Sequence, residues 1–198
     1  MPFPASQGAA ILELALIIPL ILLLILGTVE ISRVMRASQI ANQLSEEASN
    51  SIYRECSDFL EPAGETSSDT LNRTSQCVQD TYNKEFAPLI AQLARPGAIR
   101  IVLSIYREVA GPIVQRFALI NDGAAPTSTK FSASGNTIAT TLTNVGGGGT
   151  VVIDAAFMAA HQRVAIAEVF IQVDPLLNII PILNTAVIGG KYYAASVL

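Results

Sequence analysis

At 198 residues the chain has room for one domain with its own core. Its net charge of −4 and its twelve scattered Lys and Arg residues form no basic run, so no nucleic acid is expected as a partner. With 51% apolar and only 14% charged residues, and a mean hydropathy of +0.45, it is too apolar for an ordinary soluble domain.

The excess is concentrated in Ala9–Val29, where Glu13 is the only charged side chain. At about 1.5 Å per residue, this run would span roughly 30 Å as a helix, the thickness of a bilayer's hydrocarbon core. The preceding Met1–Gly8 (MPFPASQG) has no Lys or Arg, and no Ala-x-Ala site follows the run, so a secretory signal peptide fits poorly. A membrane anchor fits better but leaves Glu13 to be explained. An ionisable group near the end of such a segment either snorkels to the interface or marks a function. Pro19 removes one helix bond and is expected to kink the segment, which a membrane bundle tolerates where neighbours satisfy the freed carbonyl.

Beyond Val29, Ile31, Val34, Ile40, Leu44, Ala48 and Ile52 recur at helical spacing, which predicts a helix over 30–55 continuing the membrane segment. The alternative is two helices broken near Gly27. A loop over 56–69, with Pro62 and Gly64, precedes a second helix over 70–94, started by Asp69 or Thr70 and stopped by Pro96-Gly97. Val78, Tyr82, Phe86, Leu89, Ile90 and Leu93 would face the core, and Pro88 would kink or divide that helix. Cys56 and Cys77 flank the polar loop with no CxxC or Cys/His cluster, so no metal or other cofactor is expected. They read either as a disulfide, adding about 3 kcal/mol by restricting the unfolded chain, or as two unpaired buried thiols.

From Ala98 to the C-terminus the pattern is β-rich. Ile99, Ile101, Leu103 and Ile105 alternate with Arg100, Val102, Ser104 and Tyr106, and Gly111-Pro112 then leads into Ile113–Ile120, which predicts a β-hairpin. Asn121–Gly149, ending in four glycines without a following Lys-Ser/Thr, reads as a flexible surface excursion and not as a phosphate-binding loop. Val151–His161 reads as a short helix, Val164–Val173 as a central strand, and Val187–Val197 as a last strand after a turn at Gly189-Gly190. Leu176–Ile188 is strongly apolar but too short to span a bilayer, leaving core packing or a patch resting on the membrane or on a neighbour. The only histidine, His161, reads as a helix cap or surface group. Glu46/Glu47 and Asp58/Glu61 read as solvated charge. No GxSxG, HExxH, P-loop or dinucleotide fingerprint occurs, which leaves an enzyme reading without residues.

The N-terminal motifs carry the functional signal. Gly8-Ala9-Ala10-Ile11-Leu12-Glu13 resembles the processing site of type IV prepilins, where a membrane peptidase cuts after a glycine and a glutamate stands fifth in the mature chain. Glu13-Leu14-Ala15-Leu16-Ile17-Ile18-Pro19-Leu20, followed by Gly27, Glu30 and Arg33 in a G-x-x-E-x-x-R exit, is similar to TadE-like proteins, the minor pilins or pseudopilins of tight-adherence (Tad, type IVc) systems. The segment Ala167-Glu168-Val169-Phe170 with Pro175-Leu176 is similar to a late segment of the same family. One departure stands out: the leader lacks basic residues while Arg33 and Arg36 follow the apolar run, which by charge alone favours the reverse orientation.

The resemblance implies an α+β, pilin-like fold with a long N-terminal helix, a second helix and an antiparallel sheet of about four strands. It divides the chain into a leader at 1–8, a membrane helix at 9–29 and an extracytoplasmic domain at 30–198. It implies cleavage between Gly8 and Ala9 by a prepilin peptidase, a pairing role for Glu13 in assembly, and as partners other pilins, Tad assembly-platform proteins and the inner membrane. The rival readings are a permanently anchored periplasmic binding or scaffold protein and, less favoured, a membrane-tethered enzyme.

Overall fold

The structure, a computed structural model, describes residues 5–56, 67–93, 99–108, 113–120, 129–135, 137–140, 152–161, 163–173 and 190–198. Gly146–Gly149, Leu176–Ile188, Asp58 and Glu61 lie outside the described residues. Two compact units are present: Met1–Ala37 with Val173–Gly190, and Ser38–Gln172 with Lys191–Leu198.

The first element is one helix, α1 (Ala5–Cys56), of 52 residues, with no break at Gly27 or at Pro19. Its C-terminal half belongs to the second unit and buries Ala41, Leu44, Ala48, Ile52 and Cys56 at steps of three and four. Small residues dominate this stripe. The buried hydroxyls of Ser45 and Ser49 donate back to the carbonyls of Asn42 (2.9 Å) and Glu46 (3.0 Å), so their burial leaves no orphaned donor.

The second helical segment is α2 (Ser67–Thr81), a π-helical turn (Tyr82–Phe86) and α3 (Ala87–Leu93). The expected effect of Pro88 takes this form. Pro88 cannot donate to the carbonyl four residues back, and the widened turn ahead of it closes instead through the Ala87 amide onto the Tyr82 carbonyl. Three ties hold this segment to α1. Cys56 and Cys77 form a disulfide with Cα atoms 5.7 Å apart, the Thr81 hydroxyl donates to Glu55 at 3.1 Å, and Ser51 donates to Glu85.

β1 (Ile99–Glu108) and β2 (Ile113–Ile120) form the expected antiparallel hairpin, and β6 (Arg163–Val173) pairs antiparallel with the other edge of β1. With β7 (Gly190–Val197) the main sheet reads β2-β1-β6-β7. Gly190, expected in a turn, is the first residue of this last strand, and Gly189 lies outside the described residues.

The stretch expected as a loop contains structure. β3 (Phe131–Ser134) and β4 (Thr137–Thr140) form a tight antiparallel hairpin, joined by β5 (Val152–Ile153) in a second, three-stranded sheet. Gly135 enters the turn at a φ of 57°, a conformation that only a residue without a Cβ adopts at no cost. The helix expected over Val151–His161 shortens to α4 (Ala155–His161), because Val152 and Ile153 pair with β4 and Asp154 then accepts the Phe157 amide at 2.9 Å as an N-cap.

This insertion explains the burial of Tyr106 on β1. The expected alternation leaves Val102, Ser104 and Tyr106 on a wetter face, yet all three are buried. Tyr106, Val164 and Ile166 instead share a core with Phe131 and Ile138 of the hairpin, Ile153 and Met158. The main sheet is therefore covered on this face as well.

Glu168 pins the insertion in place. It is fully buried on β6, opposite Val102, and accepts from the Lys130 amide (2.7 Å), the Tyr193 hydroxyl of β7 (3.2 Å) and the Thr129 hydroxyl. The Tyr106 hydroxyl donates to the Phe131 carbonyl beside it at 3.2 Å. Burial raises the Glu168 pKa, against the opposing pull of those three hydrogen bonds and of the Lys130 charge. Burial, reinforced by the nearby Glu168 charge, pushes Tyr106 up to about 12 and Tyr193 up as well.

Two stability predictions follow from these ties, both measurable by denaturant unfolding of the full chain in detergent. Replacing Cys56 and Cys77 together by Ser should cost about 3 kcal/mol; an unchanged midpoint would remove the disulfide from the account. Glu168→Leu, which strands three donors, should cost about 3 kcal/mol, whereas Glu168→Gln, which still accepts, should cost about 1 kcal/mol or less. A raised folded-state pKa means that the stabilisation is complete below the unfolded value and is lost as pH rises through the folded one. Stability should accordingly decline as Glu168 deprotonates and again between about pH 10 and 12 as Tyr106 does, the first decline vanishing in Glu168→Gln. An identical pH profile in wild type and variant would contradict the assignment.

Candidate functional site: the exposed apolar helix

The feature that the fold does not consume is the N-terminal half of α1. From Leu14 to Leu26 every Leu and Ile side chain is exposed, reaching 70% at Leu16 and 60% at Leu20. Mean hydropathy peaks at 2.7 over an eighteen-residue window of which only 6% is buried. A soluble protein's core helix would be covered, and this one is not. The same helix runs on to Cys56.

An α-helix suits this position because its backbone groups are satisfied within the segment, the condition for entering hydrocarbon. Leu and Ile lose little as helix residues once there is lipid or a neighbour to pack against. Thr28, a polar interruption, returns its hydroxyl to the Ile25 carbonyl at 2.8 Å. Pro19 has no backbone N–H, so the Ala15 carbonyl lacks its usual donor four residues on.

The residues singled out from the sequence are distributed along this helix. Gly8 and Ala9 lie in its first turns, and Glu13 lies one turn beyond Ala9, exposed, at the head of the apolar row. Sequence reasoning quoted Glu30 and Arg33 as part of the exit motif without giving them a task. In the structure Glu30 is completely buried and the Arg33 guanidinium donates to its carboxylate at 3.3 Å, a step of three residues that places both on one helix face. The spacing of the motif was the available signal: an acid and an arginine three apart on a helix are within reach of each other.

Elsewhere the polar groups do structural work. A cavity of about 390 Å³ beside Cys77 is lined by Glu55, Arg73, Asp80, Thr81 and Lys84, acids and bases interleaved, with the Glu55 carboxylate already engaged by Thr81. Glu168 is enclosed by its donors. Among the described residues no group of three or more His, Cys, Asp or Glu side chains could hold a metal ion. His161 is exposed at the end of α4 and packs its ring 4.4 Å from that of Phe157. Glu46 and Glu47 are exposed, as expected of solvated charge.

Comparison with known proteins points to the same helix. No curated protein and no solved structure matches the chain. A protein-family model described as TadE-like protein matches residues 8–50, a stretch that begins at Gly8, contains Glu13, Pro19, Glu30 and Arg33, and ends inside the buried half of α1. Over residues 8–50, therefore, this chain is similar to TadE-like proteins.

Proposed function

We propose that the protein is a minor pilin or pseudopilin of a Tad (type IVc) system, acting in pilus assembly, adhesion or secretion. The observation that carries this reading is the division of labour along α1. One half is an uncovered apolar rod headed by Gly8, Ala9 and Glu13, and the other half is built into an α+β domain. Such a helix can hold the protein in the inner membrane, with its domain in the periplasm, and later pack the same surface against other pilins.

Processing between Gly8 and Ala9 would remove the 1–8 leader and leave Glu13 fifth in the mature chain. The new ammonium at Ala9 can then pair with the Glu13 carboxylate of a neighbouring subunit, so the carboxylate gains a partner on assembly. A prepilin peptidase would make the cut. It has to take the scissile segment in extended form, and the first turns of a helix unwind most cheaply. Pro19 would bend the membrane segment, and neighbouring helices would satisfy the Ala15 carbonyl.

Mass spectrometry of the protein from its own membranes should find Ala9 as the N-terminus. An intact leader in peptidase-competent cells would contradict processing and leave a permanently anchored scaffold protein as the better reading. Gly8→Arg should abolish cleavage. Glu13→Ala should be cleaved normally yet enter filaments at least about tenfold less, a loss of 1.4 kcal/mol or more in assembly; wild-type incorporation would remove the pairing role.

A further inference from the structure

We infer that the lipid-facing surface of α1 does not end at Val29 but runs to Met35, so that Leu14–Met35 is the hydrocarbon-embedded stretch and bilayer lipid covers the face bearing Ile31 and Met35. This rests on the reading of α1 as a membrane anchor.

Four observations carry it. Ile31 and Met35 are 52% and 61% exposed, as uncovered as the leucines upstream. Ile17, Ile21, Leu24, Thr28, Ile31 and Met35 follow one another at alternating steps of four and three, so the two distal residues continue a single face. Thr28 does not interrupt it, its hydroxyl being bonded to the Ile25 carbonyl.

The charges that would end the stretch at Val29 are dealt with internally. Glu30 is withdrawn from the surface and paired with Arg33, so the exit motif presents far less charge to lipid than its sequence suggests. The next cationic side chain is Arg36, which is exposed, and the compact unit that holds the folded domain begins at Ser38. Leu14–Met35 would measure roughly 33 Å as a helix, close to the hydrocarbon thickness of about 30 Å.

The shift of more than a turn relative to Ala9–Val29 moves the other boundary too. Glu13 then stands at the edge of the hydrocarbon layer, and Ala9 stands one turn further out. Both members of the assembly pair would be hydrated in the free subunit and would lose water only on joining a filament.

The test uses the full chain in phosphatidylcholine/phosphatidylglycerol vesicles, spin-labelled at single cysteines introduced by Leu24→Cys, Ile31→Cys, Met35→Cys or Gln43→Cys. The native Cys56 and Cys77 are bonded to each other and stay unlabelled. Collision with oxygen, which partitions into lipid, is compared with collision with a water-soluble nickel chelate. The expected ratio of oxygen to nickel collisions is above one at Leu24, Ile31 and Met35 and reverses at Gln43. Nickel access at Ile31 and Met35 with lipid access at Leu24 would overturn the inference and leave the anchor standing. Low access to both reagents at Ile31 and Met35 would overturn it in favour of a protein cover. Nickel access at Leu24 would bring down the anchor reading itself.

Discussion

One continuous helix has to satisfy two different surroundings, and the rest of the molecule is arranged around that constraint. α1 meets it by closing its backbone hydrogen bonds within itself and changing only its side chains along its length. Bulky Leu and Ile cover the exposed half, and small residues such as Ala41, Ser45, Ala48 and Ser49 line the half that is packed. Small side chains let other elements approach the helix closely, and the hydroxyls among them are satisfied by the preceding turn.

A helix with one half exposed and the other packed needs a firm attachment to its domain. The Cys56–Cys77 disulfide, Thr81–Glu55 and Ser51–Glu85 all lie at the C-terminal end of α1 and tie it to the α2–α3 segment. The sheet is held separately, by apolar packing on both faces and by the carboxylate of Glu168, which joins β6, β7 and the start of the inserted hairpin. Its hydrogen bonds make that residue a clamp.

Much of this was legible in the sequence, and for identifiable reasons. α1, the β1–β2 hairpin and the central strand β6 have long, strongly periodic apolar patterns, and such patterns survive tertiary context. The pairing of Cys56 with Cys77 was one of two open readings and the structure forms it. The inserted hairpin was missed because composition outweighed pattern: Phe131–Thr140 sits among Ser, Thr and Gly, yet Gly135-Asn136 between two four-residue alternating runs is a hairpin signal. The burial of Tyr106 could not be foreseen once that hairpin was read as loop, since Phe131 and Ile138 of the hairpin share its core. The Glu30–Arg33 pair was present as a motif, but the burial of Glu30 depends on tertiary context that no local spacing encodes.

The central claim is that the exposed face of α1 exchanges lipid for other pilin helices. The most direct measurement is photo-crosslinking from a benzophenone amino acid at Leu20, on the uncovered face, in cells carrying the complete pilus system. The account predicts crosslinks to the N-terminal helix of another pilin that disappear when the prepilin peptidase is removed. Crosslinks to no pilin, with or without the peptidase, would contradict it.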